Sequence, residues 1–291
     1  TWLLGKEADS RLTSPPGPAL IVAGGGGDDA GLFRDAVFPE VAGGDVAVLT
    51  MIGADEYNAW FFDELTTEGV LLDSVETMQI FTRSHANSAY AEWVVDTAEF
   101  VWVAGGDQHM MRRIWGGTRL DEALDRAFER GAVWGGTSAG GTLSAGWSYD
   151  RADRDSLEAE GALADPLSPA LELEPPFVDS PWWGRVVTDS HFSERKREGR
   201  LLAMMARLAW EEKMWDVVGV GLDEGAALFT TDGRTAEVFG GRVHLYWAAG
   251  PETWKPLAEG RALETGIIWR AVVEPGEGVD LEGLEERDAD G

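Results

Sequence analysis

The chain contains no cysteine. That absence excludes disulfides, thiolate nucleophiles and cysteine-ligated zinc together. Histidine is scarce: His85, His109, His191 and His244 are scattered, with no HExxH-type pair, so no metal site is expected. No apolar run approaches the ~20 residues a membrane-spanning helix needs. The opening TWLLGKEADS has no basic stretch leading into an apolar segment, so it does not read as a secretory signal, and a cytoplasmic location is expected. Lysine is equally rare, with Lys6, Lys196, Lys213 and Lys255 the only ones among 24 basic residues. Those 24 face 52 acidic residues, a net charge of −28. Such a surface repels nucleic acid and anionic membranes, which removes both as partners. It would attract a cationic substrate. Acidic composition can accompany disorder, but 14 Trp and 11 Phe speak for a folded protein. We read the dense carboxylate surface as an adaptation to high salt, where screening removes self-repulsion.

What is present is an alternation of short β-type runs with helical stretches. Residues 19–24, 45–51, 70–81, 99–104 and 132–135 read as strands. Between them, 87–97 and 120–130 have helical character, the second with Leu120, Ala123, Leu124, Ala127 and Phe128 on one face. Strands separated by helices predict an α/β fold with a mainly parallel sheet flanked by helices, whose ligands gather at the carboxyl ends of the strands. Three glycine-rich turns, GGGG at 24–27, AGGD at 104–107 and GGTSAGG at 135–141, lie at such ends. Shorter, partly antiparallel strands are expected at 217–222, 226–230, 235–239 and 242–247. Residues 150–181 suggest a long loop or lid. A single domain over 1–291 is expected, with its core at 18–245 and a frayed acidic tail over 274–291. The many tryptophans are assigned to the core.

Gly136-Thr137-Ser138-Ala139-Gly140 fits the G-x-S-x-G nucleophile elbow. A serine at the tip takes strained backbone angles, so its neighbours two residues away must be small for strand and helix to pack. The N–H of Ala139 would then face a tetrahedral oxyanion. A serine nucleophile needs a base. His191 suits that role, because it ends a β run and precedes Arg195, Arg197 and Arg200. So dense a basic segment is odd as a solvated face in so acidic a chain. His85 and His109 follow other strands and are candidate pocket groups, whereas His244, in RVHLYW, is expected to pack in the sheet.

Together, GTSAG, the upstream GGDQ (105–108) and the downstream DSHFSERKREGRL (189–201) resemble the cyanophycinase branch of the S51 serine peptidases, which also include aspartyl dipeptidases. The resemblance covers roughly 18–245. It implies a fold like that of class I glutamine amidotransferases, a flavodoxin-like three-layer sandwich with short extra strands toward the C-terminus. It also implies a Ser-His-Glu/Asp triad, no cofactor, and hydrolysis of a poly-aspartate polymer bearing arginine side groups. By position it makes Ser138 the nucleophile and His191 the general base, with an oxyanion hole from Gly106 and Ala139. Gln108, Asp189, Ser190, Arg195, Arg197 and Arg200 then form the substrate pocket, the guanidinium forks meeting free carboxylates and Asp189 meeting an arginine.

The triad acid is placed by the resemblance in the loop 148–165, where Glu158 fits best and Glu160, Asp155 and Asp153 are alternatives. Asp223-Glu224, in GVGLDEGAAL, resembles a recurring family segment and either lines the pocket or supports a turn. Two positions depart from the family: Ser190 where Gln is frequent, and Gly141 where Ala is. The expected partner is a peptide or poly-aspartyl-arginine substrate, and a homodimer is compatible with this reading. Three rivals remain: an aspartyl dipeptidase of the same family, an α/β-hydrolase esterase, and a non-catalytic binding protein on the same scaffold. The esterase would want an HGGG-like segment and a histidine near the C-terminus, and neither is seen.

Overall fold

The computed structural model describes the chain except residues 10, 11, 13–16, 54, 55, 67–69, 152–156 and 285–291. In chain order its strands are β1 (Trp2–Gly5), β2 (Ala19–Ala23), β3 (Asp45–Thr50), β4 (Ser74–Gln79), β5 (Phe100–Val103), β6 (Val133–Thr137), β7 (Trp147–Tyr149) and β8 (Leu173–Glu174). There follow β9 (Val186–Asp189), β10 (Val218–Leu222), β11 (Ala226–Thr230), β12 (Thr235–Gly240), β13 (Val243–Ala248), β14 (Ile268–Val273) and β15 (Gly278–Asp280).

A nine-stranded sheet runs β1-β4-β3-β5-β6-β2-β11-β12-β15. Its centre, β4-β3-β5-β6-β2, is parallel throughout, and antiparallel strands extend both edges. β2, β3 and β5 are buried along their whole length, the mark of strands covered on both faces. Alternate residues of β2 serve different layers. Leu20 and Val22 join the core beneath the helices Ala89–Thr97, Gln108–Trp115 and Arg119–Glu129. Ala19, Ile21 and Ala23 pack on the opposite face, with Phe33, Phe38 and Phe61. The result is the expected α/β three-layer arrangement.

The later strands do more than decorate this sheet. β7, β8, β9, β10, β13 and β14 form a second, six-stranded sheet in the order β14-β13-β10-β9-β7-β8. One face of it, through Val218, Val220, Leu222 and Leu245, joins the core of the main sheet. Its other face, through Val187 and Tyr246, is covered by the helix Glu198–Glu211. The segment from 274, expected to fray, instead supplies β15, which pairs with β12, and it buries Val279, Leu281 and Leu284. Three apolar side chains suffice to anchor an otherwise acidic stretch. Residues 150–181 contain the helix Ala159–Ala164 and the strand β8.

Register places the functional turns. Ala23 of β2 lies beside Thr137 of β6, and Gly136 beside Val103 of β5. Three glycine-rich turns therefore leave the sheet at one level, at the carboxyl ends of adjacent parallel strands.

Candidate active site

Ser138 has φ 55° and ψ −119° between β6 and the short helix Ala139–Ser144. A non-glycine residue at positive φ is strained, and here the packing around it enforces that geometry. A Cβ added to Gly140 would stand 2.1 Å from the Val103 carbonyl oxygen, and one on Gly136 would stand 2.5 Å from the Gly140 carbonyl carbon. The departure at Gly141 also has a physical reason, because a Cβ there would lie 2.4 Å from the Ala23 carbonyl oxygen. That oxygen accepts the Ser138 N–H at 2.9 Å.

The turn after β2 ties the site together. The Gly24 carbonyl accepts the His191 N–H at 2.9 Å, and the Gly25 carbonyl accepts the Gly225 N–H at 2.8 Å. Successive carbonyls from Ala23 to Gly25 thus hold three separate loops. Gly25 has φ 87°, and a Cβ on it would fall 2.6 Å from His191 Nε2 and 2.8 Å from Ser138 Cβ. Only glycine fits there.

His191 leaves β9 at φ 45° and is buried. Its Nε2 lies 2.7 Å from Ser138 Oγ, and its Nδ1 lies 2.7 Å from Glu224 Oε1. An ionised carboxylate only accepts, so Nδ1 carries the hydrogen and Nε2 is free to accept from the serine. Burial lowers the His191 pKa below its ordinary value. The bond to Glu224 opposes that shift, while Arg195 and Arg197 add to it. The net effect favours a neutral imidazole.

Glu224, rather than Glu158, is thus the carboxylate that meets His191. It sits where the chain crosses from β10 of the second sheet to β11 of the main one, and the Gly225–Gly25 hydrogen bond draws that crossing against the serine turn. Glu158 is the exposed residue before the helix Ala159–Ala164, and beside burial and Asp189 its charge is only a minor influence on Arg197 and Arg200. Glu160 is exposed on that helix, and Asp153 and Asp155 lie outside the described residues. The sequence did carry a signal for Glu224: an apolar strand ending in an acidic pair before glycine.

Beside Ser138 opens a small, solvent-open pocket. Gly106 and Ala139 line it with the serine, and Gln108, Asp189, Ser190, Arg195, Arg197 and Arg200 form the remaining predicted part of its wall. The pocket residues do not all stand free. Asp189, expected to meet a substrate guanidinium, is buried and already bound to Arg200, at 2.8 Å from Nε and 2.6 Å from Nη2, and to Arg197 at 3.1 Å. Arg200 is also buried and lies 4.5 Å over the Tyr149 ring. Burial pulls the Arg197 pKa down to about 10 despite Asp189. Gln108 Nε2 donates to the Tyr149 carbonyl at 2.9 Å, and the Ser190 carbonyl accepts from Arg197 at 2.7 Å. Arg195 is exposed, with no side-chain partner among the described residues. One residue beyond Gln108, His109 Nδ1 lies 2.8 Å from the buried Asp150.

A structure of a peptidase from an acI-B1 Actinobacterium shares this fold, with a TM-score of 0.56 at 14% identity over 90% of this chain and 96% of that one. A candidate peptidase E protein from Listeria monocytogenes EGD-e aligns with a TM-score of 0.46 at 16% identity, over 77% of this chain and 98% of its own. No curated protein matches the chain by sequence. Among the described residues no helix is long and apolar enough to cross a membrane. The model of peptidase family S51 matches residues 51–238, a span that holds Ser138, His191 and Glu224, and the chain belongs to that family.

Proposed function

We propose that the protein is a serine peptidase acting on aspartyl peptides, with Ser138 as nucleophile, His191 as general base and Glu224 as the carboxylate that orients it. The observation that carries this is the continuous path Ser138–His191–Glu224, with both heavy-atom separations at 2.7 Å. Ser138 Oγ attacks the scissile carbonyl as its proton passes to His191 Nε2. Glu224 stabilises the imidazolium that forms. The N–H groups of Gly106 and Ala139 receive the oxyanion. As the C–N bond breaks, the same proton moves from Nε2 to the leaving amine. Water, deprotonated by His191, then releases the acyl group.

The substrate class follows from the cavity wall. Arg195, exposed and without a side-chain partner among the described residues, lines it together with Arg197, so free carboxylates are the groups this wall suits. A cyanophycin-type polymer of aspartate bearing arginine offers such carboxylates. The alternative, an aspartyl dipeptidase acting on short acidic peptides, is favoured by one observation: Asp189 is neutralised internally and is not free to receive a substrate guanidinium. Assaying insoluble cyanophycin beside short Asp-X peptides separates the two. In both assays Ser138→Ala should cost ~10⁶-fold in kcat with unchanged stability. Near-wild-type turnover by that variant would refute the nucleophile assignment, and failure of a fluorophosphonate to label the native serine would favour a binding role.

A further inference from the structure

His244 lies on β13, buried against the Phe192 ring at 5.1 Å between centroids. Its surroundings go beyond those of a packed sheet residue. Nε2 is 3.0 Å from Asp223 Oδ2 and 3.2 Å from Ser193 Oγ, while Nδ1 is 3.1 Å from Arg270 Nη2, on β14. A guanidinium only donates, so Nδ1 is the acceptor and the ring hydrogen sits on Nε2. Ser193 and Asp223 therefore meet the same nitrogen. A nucleophilic serine and its acid must engage opposite nitrogens, so this is no second catalytic triad.

The cluster has the geometry of a clamp. Asp223 Oδ1 accepts the Ser193 backbone N–H at 3.0 Å. Asp223 immediately precedes Glu224, and Ser193 lies two residues beyond His191. Asp223 thus joins the loop carrying the base to the loop carrying its acid, as does Glu194, whose Oε2 accepts the Glu224 N–H at 3.2 Å. Arg242 Nε, 3.6 Å from Asp223 Oδ2, adds a charge from the far side. Burial would push the Asp223 carboxyl up, but the bonds from Ser193 and His244 outweigh it and hold the group below the usual range, so it stays an acceptor. His244 and Arg270 both lie beyond residues 51–238, the span that the family model matches.

We propose that His244, acting through Asp223, is a positioning residue for the His191–Glu224 pair, so that the C-terminal strands β13 and β14 set the geometry of the active site. This rests on the reading of Glu224 as the triad carboxylate. A weakened Glu224 bond would remove an influence that raises the His191 pKa, so the acidic limb of reactivity would move further down.

The test uses the full chain and a fluorophosphonate probe of Ser138, which needs no knowledge of the substrate. His244→Phe keeps the ring against Phe192 but loses the three polar contacts, to Asp223, Ser193 and Arg270. It should slow the saturating labelling rate about tenfold, leave probe affinity nearly unchanged and shift the acidic limb down. His244→Gln, whose amide can donate to Asp223, should recover most of the rate. In a Glu224→Gln background, His244→Phe should cost nothing further, because it acts through Glu224. A wild-type rate and pH profile in folded His244→Phe would overturn the proposal, and so would a full additional loss in the double variant. If His244→Phe fails to fold, the partly exposed Arg270→Met serves instead, with a several-fold slower rate expected and an unchanged rate overturning the idea. Wild-type labelling of Glu224→Gln would bring down the triad reading itself, whereas an impaired Glu224→Gln beside an unaffected His244→Phe brings down only the clamp.

Discussion

Both ring nitrogens of His191 are engaged, so the resting tautomer is set by what each partner can offer. Glu224 accepts at Nδ1, and the serine hydroxyl is left for Nε2. Replacing Glu224 by Gln keeps the shape but permits the wrong tautomer and removes the charge that stabilises the imidazolium. We expect Glu224→Gln to lower kcat by ~10⁴-fold, and Glu158→Gln to stay within a few-fold of wild type because Glu158 does not reach the imidazole. Equal losses in the two variants would contradict the geometry. The sign of the pH dependence follows from burial. His191 must be neutral to act as a base, and its pKa is lowered, so the acidic limb of kcat/KM should fall below pH ~6.5. A limb above that value would mean that Glu224 outweighs burial and the two arginines.

Among the elements, the contact between β9 and the helix Glu198–Glu211 rests on an ion pair rather than on apolar packing alone. Arg200 reaches back from the first turn to grip Asp189 at the strand end, and both side chains are nearly without exposure. Breaking a buried pair strands a charge and costs about 3–5 kcal/mol. Arg197 still reaches Asp189 at 3.1 Å, so Arg200→Met should lie near the lower end of that range, read as a reduced urea midpoint. An unchanged midpoint would show that Asp189 does not depend on Arg200, and would restore it as a group able to meet a substrate. Gly141 belongs at this scale too. The family's frequent alanine would press on the Ala23 carbonyl that holds the serine turn, so here β2 and the elbow helix pack more closely than a methyl group allows.

For the whole molecule the net charge of −28 dominates. Three arginines, Arg195, Arg197 and Arg200, line the pocket beside the serine. The rest of the surface is left strongly self-repelling. Salt shortens the Debye length to ~3 Å at 1 M, so the melting temperature should rise between low and molar salt. A flat response would remove the high-salt reading while leaving the site untouched.

How far the sequence was legible differs between parts of the site. The parallel centre could be read because β2 and β5 are unbroken apolar runs and β3 is apolar from Val46 to Leu49, and a strand buried on both faces needs little else to declare itself. The elbow could be read because its backbone demands glycine at fixed offsets from Ser138. β15 could not, because its few buried side chains are diluted by acidic neighbours. Pi-type winding at Trp60–Glu64 was equally silent, since its apolar residues fit an ordinary helix as well.

From local constraint alone the sequence determined the α/β class and singled out Ser138 and His191, which the fold brings to 2.7 Å of each other, since each is signalled within a dozen residues of itself. Only the tertiary structure decided which carboxylate meets His191 and which groups hold Asp189. Glu158 and Glu224 are both loop acids downstream of the serine, indistinguishable by composition. What separates them is that β10 and β11 belong to different sheets, and the crossing between those sheets is pinned to Gly25, beside the imidazole. The resemblance offered Asp189 to a substrate arginine, yet helix geometry returns Arg200 to it from eleven residues away. Long-range pairing of this kind leaves no local trace, so it becomes visible only once the chain has closed on itself.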